Sequence, residues 1–498
     1  MNDPKTTGGA TASSPAHKRP NILILYTDDM GFGDLGANNP NSKIPTPNLD
    51  RLAAQGMNLR DAHASSGICT PSRYALLTGR HHWRDFHGIV GALGRPVFKQ
   101  NQLTLPQILA ESGYTTACIG KWHLGWDWGA LRKPGAEPTS IRPEDFDWTR
   151  PVPGGPLSVG FQHYFGDDVI NFPPYTWIED DRVLQAPDTP LNTEGWKPIK
   201  EGRWECRDGP MADDWDPYQV MPALTRRSVE FIRSRKDQAQ PFFLYHAFPT
   251  PHAPIIPDDT FDGKSQAGPY GDLVYQTDDA CGQILRALEE IGEADNTIVL
   301  FSSDNGTEDY AFARDEKYDH WSSAPLRGRK RDIYEGGHHV PTLIRWPGVI
   351  QAGTISDTLF SQTDIMATVA SLIGYELPPD SAEDSFDFLP YFRGETPAGP
   401  RTAMVHNTSK DVYAIRDGDW LLINAPSGYM RHPAPDAWHA KHGYTEINEL
   451  PVELYDLNSD LGQRRNLAAD HPERIEQMQA LLRQLREQGR TAPRLSDR

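Results

Sequence analysis

Two acidic pairs and five cations define the chemistry open to this chain. Asp28-Asp29 closes the apolar run NILILYTDD, and Asp304-Asn305 closes another, NTIVLFSSDNG. Together they offer the hard oxygen ligands that Ca2+ or Mg2+ takes. Either pair alone reads as turn chemistry, because Asp, Asn and Gly dominate turns. Arg73, Lys121, His123, His252 and Lys330 are the cations. A single Lys or His in a loop is ordinarily just solvated. Five of them at strand ends around carboxylates suit an anion held beside a metal. His transfers protons near neutrality, and Lys is a compact charge for a tetrahedral oxyanion.

Cys69, in SSGICTPSR, has four readings: a core thiol, half of a disulfide, a metal ligand or a nucleophile. The four cysteines (Cys69, Cys118, Cys206, Cys281) are far apart and form no CxxC pair, which disfavours a zinc site or a disulfide scaffold. TPSRYALLTGR reads as a helix with Thr70 as its cap and Gly79 at its end, so Cys69 precedes a helix N-terminus. That position, beside Arg73, favours a lowered thiol pKa and a thiolate. A buried core thiol is the plain alternative. A hard metal is a poor partner for sulfur, so the acidic cluster fits better if position 69 presents oxygen.

The elements that must bring these residues together are legible as periodicity. Residues 21–26, 241–254, 296–306 and 340–348 read as buried strands, and 114–125 as a strand running into a loop. Residues 46–56, 103–113 and 273–291 read as helices, the first with Thr46 as cap, Pro47 at its first position and Gly56 at its end. Residues 126–220 read as long loops shaping a pocket mouth. Strand, polar loop and helix repeat, which predicts an α/β fold with a largely parallel central sheet and ligands at the carboxyl ends of its strands. After about residue 398 the texture turns to antiparallel strands and a closing helix, a smaller α+β unit. The expected divisions are a disordered tail over 1–18, a catalytic domain over 19–398 and a C-terminal subdomain over 399–498.

At 498 residues the chain exceeds one ordinary core. The formal charge of -19 argues against nucleic acid. No run is long enough to span a membrane. Residues 1–19 hold no hydrophobic h-region, so no signal peptide is expected, and a periplasmic or extracellular site stays open if a leader precedes this numbering.

CTPSR followed by YALLTGR resembles the signature of the type I, formylglycine-dependent sulfatases, of the arylsulfatase and N-acetylgalactosamine-6-sulfatase kind, in the alkaline phosphatase superfamily. GKWHLG is similar to their second signature. NILILYTDDMGFGDLG, TPHAP, SSDNG, LRGRKRDIYEGG and ELYDLNSDLGQRRNLA follow in the family's order, from about Arg19 to about Gly489. The resemblance implies an alkaline-phosphatase-like fold. It implies that a formylglycine-generating enzyme acts on CTPSR and oxidises Cys69 to Cα-formylglycine. It implies that Asp28, Asp29, residue 69, Asp304 and Asn305 bind Ca2+, that Arg73 holds the aldehyde hydrate, and that Lys121, His252 and Lys330 grip sulfate. His252 or Lys330 would protonate the leaving alcohol, and His123 would help release sulfate. Two departures stand out: His338-His339 where the family more often shows Arg, and Arg329 and Arg331 around Lys330 where small residues are usual.

The implied reaction is hydrolysis of a sulfate ester. The runner-up is a phosphonate or phosphate ester hydrolase of the same superfamily, and a catalytically silent binding protein is more distant. A thiolate phosphatase with Cys69 unmodified is a further alternative. Aromatic and charged residues near the active loops, in HHWRDFHG, KWHLGWDW and NFPPYTWIEDD, point to a sulfated saccharide, attacked at a terminus. His82, Arg84 and Trp177 are the candidate sugar contacts; the competing reading is that such aromatics pack long loops.

Overall fold

The computed structural model describes residues 19–194, 201, 206–444 and 450–495. The tail expected over residues 1–18 lies outside them. The first strand, Asn21–Asp28, is buried along its whole length. Ile22, Ile24 and Tyr26 pack into one core, and Leu23 and Leu25 into another on the opposite face. A strand covered on both faces reads as a continuous apolar run.

Phe242–Pro251 and Thr297–Ser303 flank this strand, both parallel to it. Thr115–Gly120 pairs in parallel with Phe242–Pro251, and His163–Gly166 with Thr115–Gly120. These strands form the middle of a 10-stranded sheet. Antiparallel Leu343–Arg345 follows Thr297–Ser303, and Met57–Leu59 and Thr354–Ser356 complete that edge. Ile178–Glu179 and Arg182–Val183 close the other. Helices Pro47–Gln55, Pro217–Ser234 and Gly268–Glu290 cover the Leu23 face; Cys69–Thr78, Leu105–Glu111 and Asp364–Ile373 cover the Ile22 face. The mostly parallel α/β sheet expected from the sequence is the one observed.

Two local expectations are corrected. Residues 126–220 are largely irregular, yet His163–Gly166 extends the parallel sheet. It is too short to show a period. The helix after Ile68 begins at Cys69 itself, with Ile68 as N-cap. The Thr70 hydroxyl donates instead to the His123 carbonyl at 2.9 Å.

Ala403–Asn407, Tyr413–Asp417, Trp420–Ile423 and Glu453–Asp456 form a four-stranded antiparallel meander. Helix Pro472–Glu487 presses Met478 and Leu482 against Ile415, Leu422 and Leu454. A buried ion pair ties this end to the main body: the Arg401 fork donates to Asp364 at 2.9 and 2.5 Å and to the Asp384 carbonyl at 2.7 Å. Among the described residues no helix is long and apolar enough to cross a membrane.

Gly120 ends its strand at φ 112°, and a Cβ there would stand 2.0 Å from the Ala247 carbonyl oxygen. Only glycine fits where this backbone turns toward the site. Gly120→Ala is expected to cost about 1–3 kcal/mol, from strain added to the close approach. The check is the thermal midpoint, and an unchanged value would show that the two strands part freely there.

Candidate active site

Register brings the strand ends together. Thr27 pairs with Ser303, which sets Asp28-Asp29 beside Asp304-Asn305. Ala247 pairs with Gly120, so Lys121 and His252 leave neighbouring strands on the same side. One ligand atom from each of Asp28, Asp29, Cys69 and Asp304 lies within 4.8 Å of the others, and all four residues are buried. Asn305 donates its amide to Asp29 Oδ1 at 2.7 Å. Its Oδ1 is buried and has no partner. The strained backbone gathers here as well: Asp29, His123 and Arg331 take φ values of 68°, 54° and 79°.

Each carboxylate has its own cation. Lys121 Nζ is paired with Asp28. Lys330 Nζ stands 2.7 Å from Asp29 Oδ1. Arg73 donates Nε–H to Asp304 Oδ2 at 2.9 Å and a terminal N–H to the Lys121 carbonyl at 3.1 Å, and its other terminal nitrogen lies 2.8 Å from the same Asp304 oxygen. Burial pushes the Asp28 carboxyl up, yet Lys121, His252 and Arg73 together hold it well below the usual range. Asp304 goes the other way: burial and the neighbouring Asp28 charge push it up to about 7 despite Arg73. Three acids packed this closely are short of positive charge, which is the condition a bound cation relieves. Burial opposes the Lys330 ammonium, but Asp29, with Glu308 behind it, outweighs burial and holds the amine well above its usual value.

The two histidines differ in what they present. His123 donates Nε2–H to the Val90 carbonyl at 2.9 Å, which leaves Nδ1 as a bare acceptor with no partner. Burial, then Lys121 and Arg73, hold this ring well below the usual histidine range. His252 donates Nδ1–H to the Ala253 carbonyl at 2.6 Å, so Nε2 faces the cluster, 3.8 Å from Asp29 Oδ2. Burial and Lys330 lower its pKa too.

Cys69 does not carry the thiolate that its place at a helix start suggests. Its Sγ lies 3.6 Å from Asp28 Oδ1. Burial pushes the thiol up to about 12, and Lys121 and Lys330 pull too weakly to reverse that. Arg73, the expected activator, is spent on Asp304. An unmodified sulfur is therefore a poor nucleophile here.

The structure brings Asp28, Asp29, Cys69, Arg73, Lys121, His123, His252, Asp304, Asn305 and Lys330 into one region. It does not bring in the three candidate sugar contacts. His82 is fully buried with Nε2 3.2 Å from Asn407 Oδ1. Arg84 forks onto Asp384 at 2.8 and 2.7 Å. Trp177 is buried and stacked on Phe165, centroids 5.1 Å apart. None of these contacts involves the carboxylate cluster, and the sugar-contact expectation gives way to packing, which is what aromatic rings in long segments mostly do. Sequence reading missed Glu308, which stands 3.4 Å from Lys330 and 2.5 Å from Arg331. It also missed Asp168, whose Oδ1 accepts the His123 backbone N–H at 3.1 Å. The signal for Asp168 was a second Asp-Asp after a strand, FGDD, hidden because that strand was read as loop.

Comparison with known proteins places this geometry. A family model described as Sulfatase matches residues 20–375. The N-acetylgalactosamine-6-O-sulfatase of Bacteroides thetaiotaomicron is 31% identical over 498 aligned residues, covering 93% of this chain and 93% of that protein. Human arylsulfatase A is 32% identical, covering 94% of this chain and 87% of its own length. A solved structure reported in connection with glycosaminoglycan metabolism by Bacteroides thetaiotaomicron superposes with a TM-score of 0.79 at 30% identity, covering 95% of this chain and 100% of the other.

Thiol chemistry offers a direct check on the Cys69 environment. In native protein carrying the unconverted thiol, alkylation at mildly alkaline pH is expected to label Cys206, which is half-buried, well before Cys69. Labelling of Cys69 first would show an activated thiolate and restore the thiolate reading.

Proposed function

Because the chain belongs to the sulfatase family, we propose that it removes sulfate from a sulfated saccharide, acting at a chain terminus, with Ca2+ in the carboxylate cluster and Cα-formylglycine at position 69. One observation carries this reading: the Cys69 side chain sits at the centre of an oxygen-ligand set and a ring of ammonium and imidazole groups, yet its thiol is held far from ionisation.

Both groups suit the residues present. Asp28, Asp29, Asp304 and the unpartnered Asn305 Oδ1 form a hard donor set of the kind Ca2+ takes. Sulfur is the one mismatched atom in that set, and oxidation of the Cys69 side chain to an aldehyde, hydrated in water, replaces it with oxygen. Bound Ca2+ would supply charge to offset the carboxylates and to polarise a sulfuryl oxygen. The aldehyde hydrate would supply the oxygen nucleophile that the buried thiol cannot.

The remaining work falls to the chain's own side chains. Lys121 and Lys330, both ammonium at neutral pH, hold the sulfate oxygens by charge and need no reorganisation as the reaction proceeds. Arg73 orients Asp304 through its Nε–H and the charge of its guanidinium. His123 presents Nδ1 as an unpartnered hydrogen-bond acceptor, kept neutral by burial and by Lys121 and Arg73. The Lys330 ammonium or His252 Nε2 delivers a proton to the leaving alcohol; Lys330 holds its proton at neutral pH, whereas His252 delivers one only from its protonated form, which burial and Lys330 disfavour. Asp168 acts at second hand, fixing the strained His123 backbone.

For the sugar, the 6-sulfate of N-acetylgalactosamine is the first compound to try, because a relative of near-full coverage carries that name. Human arylsulfatase A is equally similar, so identity alone does not choose between their substrates.

Two outcomes test the reading. The tryptic peptide Asp61 to Arg73, from protein made beside an active formylglycine-generating enzyme, is expected to lose mass in keeping with conversion of the thiol to an aldehyde. The same protein should hydrolyse an aryl sulfate faster than the matching aryl phosphate, and Lys121→Ala should lower kcat by about 100-fold to 1000-fold. An intact thiol, with a control substrate of the modifying enzyme converted, would overturn the mechanism; faster phosphate hydrolysis would turn the assignment to the phosphate ester reading. Separately, Ca2+ at 100 times its Kd is expected to stabilise chelator-treated protein by about 2.7 kcal/mol in thermal unfolding. Asp304→Asn should abolish that response, and a response equal to wild type would remove Asp304 from the metal set.

A further inference from the structure

A second cluster lies beneath the active loops and takes no part in the chemistry above. We propose that His63, His338 and His406 form a buried site for a borderline divalent metal such as Zn2+, which joins the active-site segment to the C-terminal sheet. One ring nitrogen from each lies within 4.8 Å of the others, and all three residues are buried.

The argument starts from the ring nitrogens. His63 Nε2 stands 2.8 Å from Asp61 Oδ1, a carboxylate whose other oxygen accepts from Arg416 at 3.1 Å. His338 Nε2 stands 3.0 Å from the Ile333 carbonyl, which can only accept. Both Nε2 atoms therefore carry the hydrogen, and in neutral rings both Nδ1 atoms present lone pairs. Those two Nδ1 atoms face each other at 3.2 Å. Two lone pairs at that separation repel unless a cation lies between them. A proton on one ring would bridge this pair but would leave both nitrogens of His406 without a partner.

A metal answers the same geometry. Two imidazole nitrogens bound tetrahedrally to Zn2+, each at about 2.0–2.1 Å, stand about 3.3 Å apart. His406 stacks on His338 with centroids 3.7 Å apart, and neither of its ring nitrogens has a partner. One nitrogen of His406 already lies within 4.8 Å of a nitrogen of each of the other two rings. Behind His63 stands the carboxylate that metal-bound imidazoles characteristically use, Asp61, itself held by Arg416 at 3.1 Å. Glu335 Oε2 lies 3.9 Å from His63 Nε2, its Oε1 unpartnered. Its other neighbour, His339, has Nδ1 2.8 Å from Glu335 Oε2 and Nε2 against the Arg60 carbonyl, so both of its nitrogens are spent and it stays outside the ligand set.

Position gives the site its meaning. His63 lies in Ala62–His63, a few residues before Cys69. His338 follows the loop that carries Lys330, and His406 lies on Ala403–Asn407 of the C-terminal meander. One ion would fix all three segments. It would also give a purpose to His338-His339, the departure noted in the sequence.

The test uses the whole purified protein, equilibrated with Zn2+ in excess Ca2+, desalted and assayed for bound metal by mass spectrometry of the elements. About one Zn2+ per chain is expected, with a raised thermal midpoint, and Co2+ in its place should give the intense visible bands of a tetrahedral site. His406→Gln removes a ring that makes no hydrogen bond, so folding should survive; it and His338→Gln should each lose the Zn2+, the midpoint shift and the Co2+ bands. Asp304→Asn should keep all three, which separates this site from the carboxylate cluster. No retained Zn2+ in the wild type, or retention equal to wild type in His406→Gln, would overturn the proposal.

Discussion

Three carboxylates crowded together where water is excluded set the terms for the rest of this structure. At an effective dielectric near 20, two like charges about 4 Å apart repel by about 4 kcal/mol. Asp28, Asp29 and Asp304 are each answered by one cation, Lys121, Lys330 and Arg73 in turn. Those cations come from a strand end, a distant loop and a helix. The pairs therefore bind segments that share no local structure, and loss of any one partner would strand a buried charge. The balance is still incomplete, since Asp304 is driven up to about 7.

The sheet exists to hold that arrangement. Parallel strands of similar depth end at one level, and side chains just past their ends are neighbours whatever their spacing in sequence. This is why so much was legible. NILILYTDD and NTIVLFSSDNG each state a strand buried on both faces and the acids it delivers. The pairing of Thr27 with Ser303 turns two separate sequence features into one cluster. The C-terminal strands are short segments divided by turns, and the observed meander follows their order.

What escaped the sequence escaped for physical reasons. A helix start beside an arginine predicts an acidic thiol at Cys69, but the pattern carries no measure of depth, and burial outweighs both influences. His82, Arg84 and Trp177 have the composition of a sugar platform, yet they pack against Asn407, Asp384 and Phe165, contacts that composition does not show. Asp168 depends on a four-residue strand with no period of its own. The opposition of His63 and His338 rests on which nitrogen faces which acceptor, a property of side-chain geometry alone.

The strand order also bears on how the protein is made. Asn21–Asp28 leaves the ribosome early, but its neighbours Phe242–Pro251 and Thr297–Ser303 come much later. Until they arrive, the first strand has no partner on either side, and the CTPSR segment stays open to other proteins. Once they dock, Cys69 is 3% exposed and enclosed by residues from both ends of the catalytic region. The oxidation of that side chain proposed above would therefore have to precede this docking.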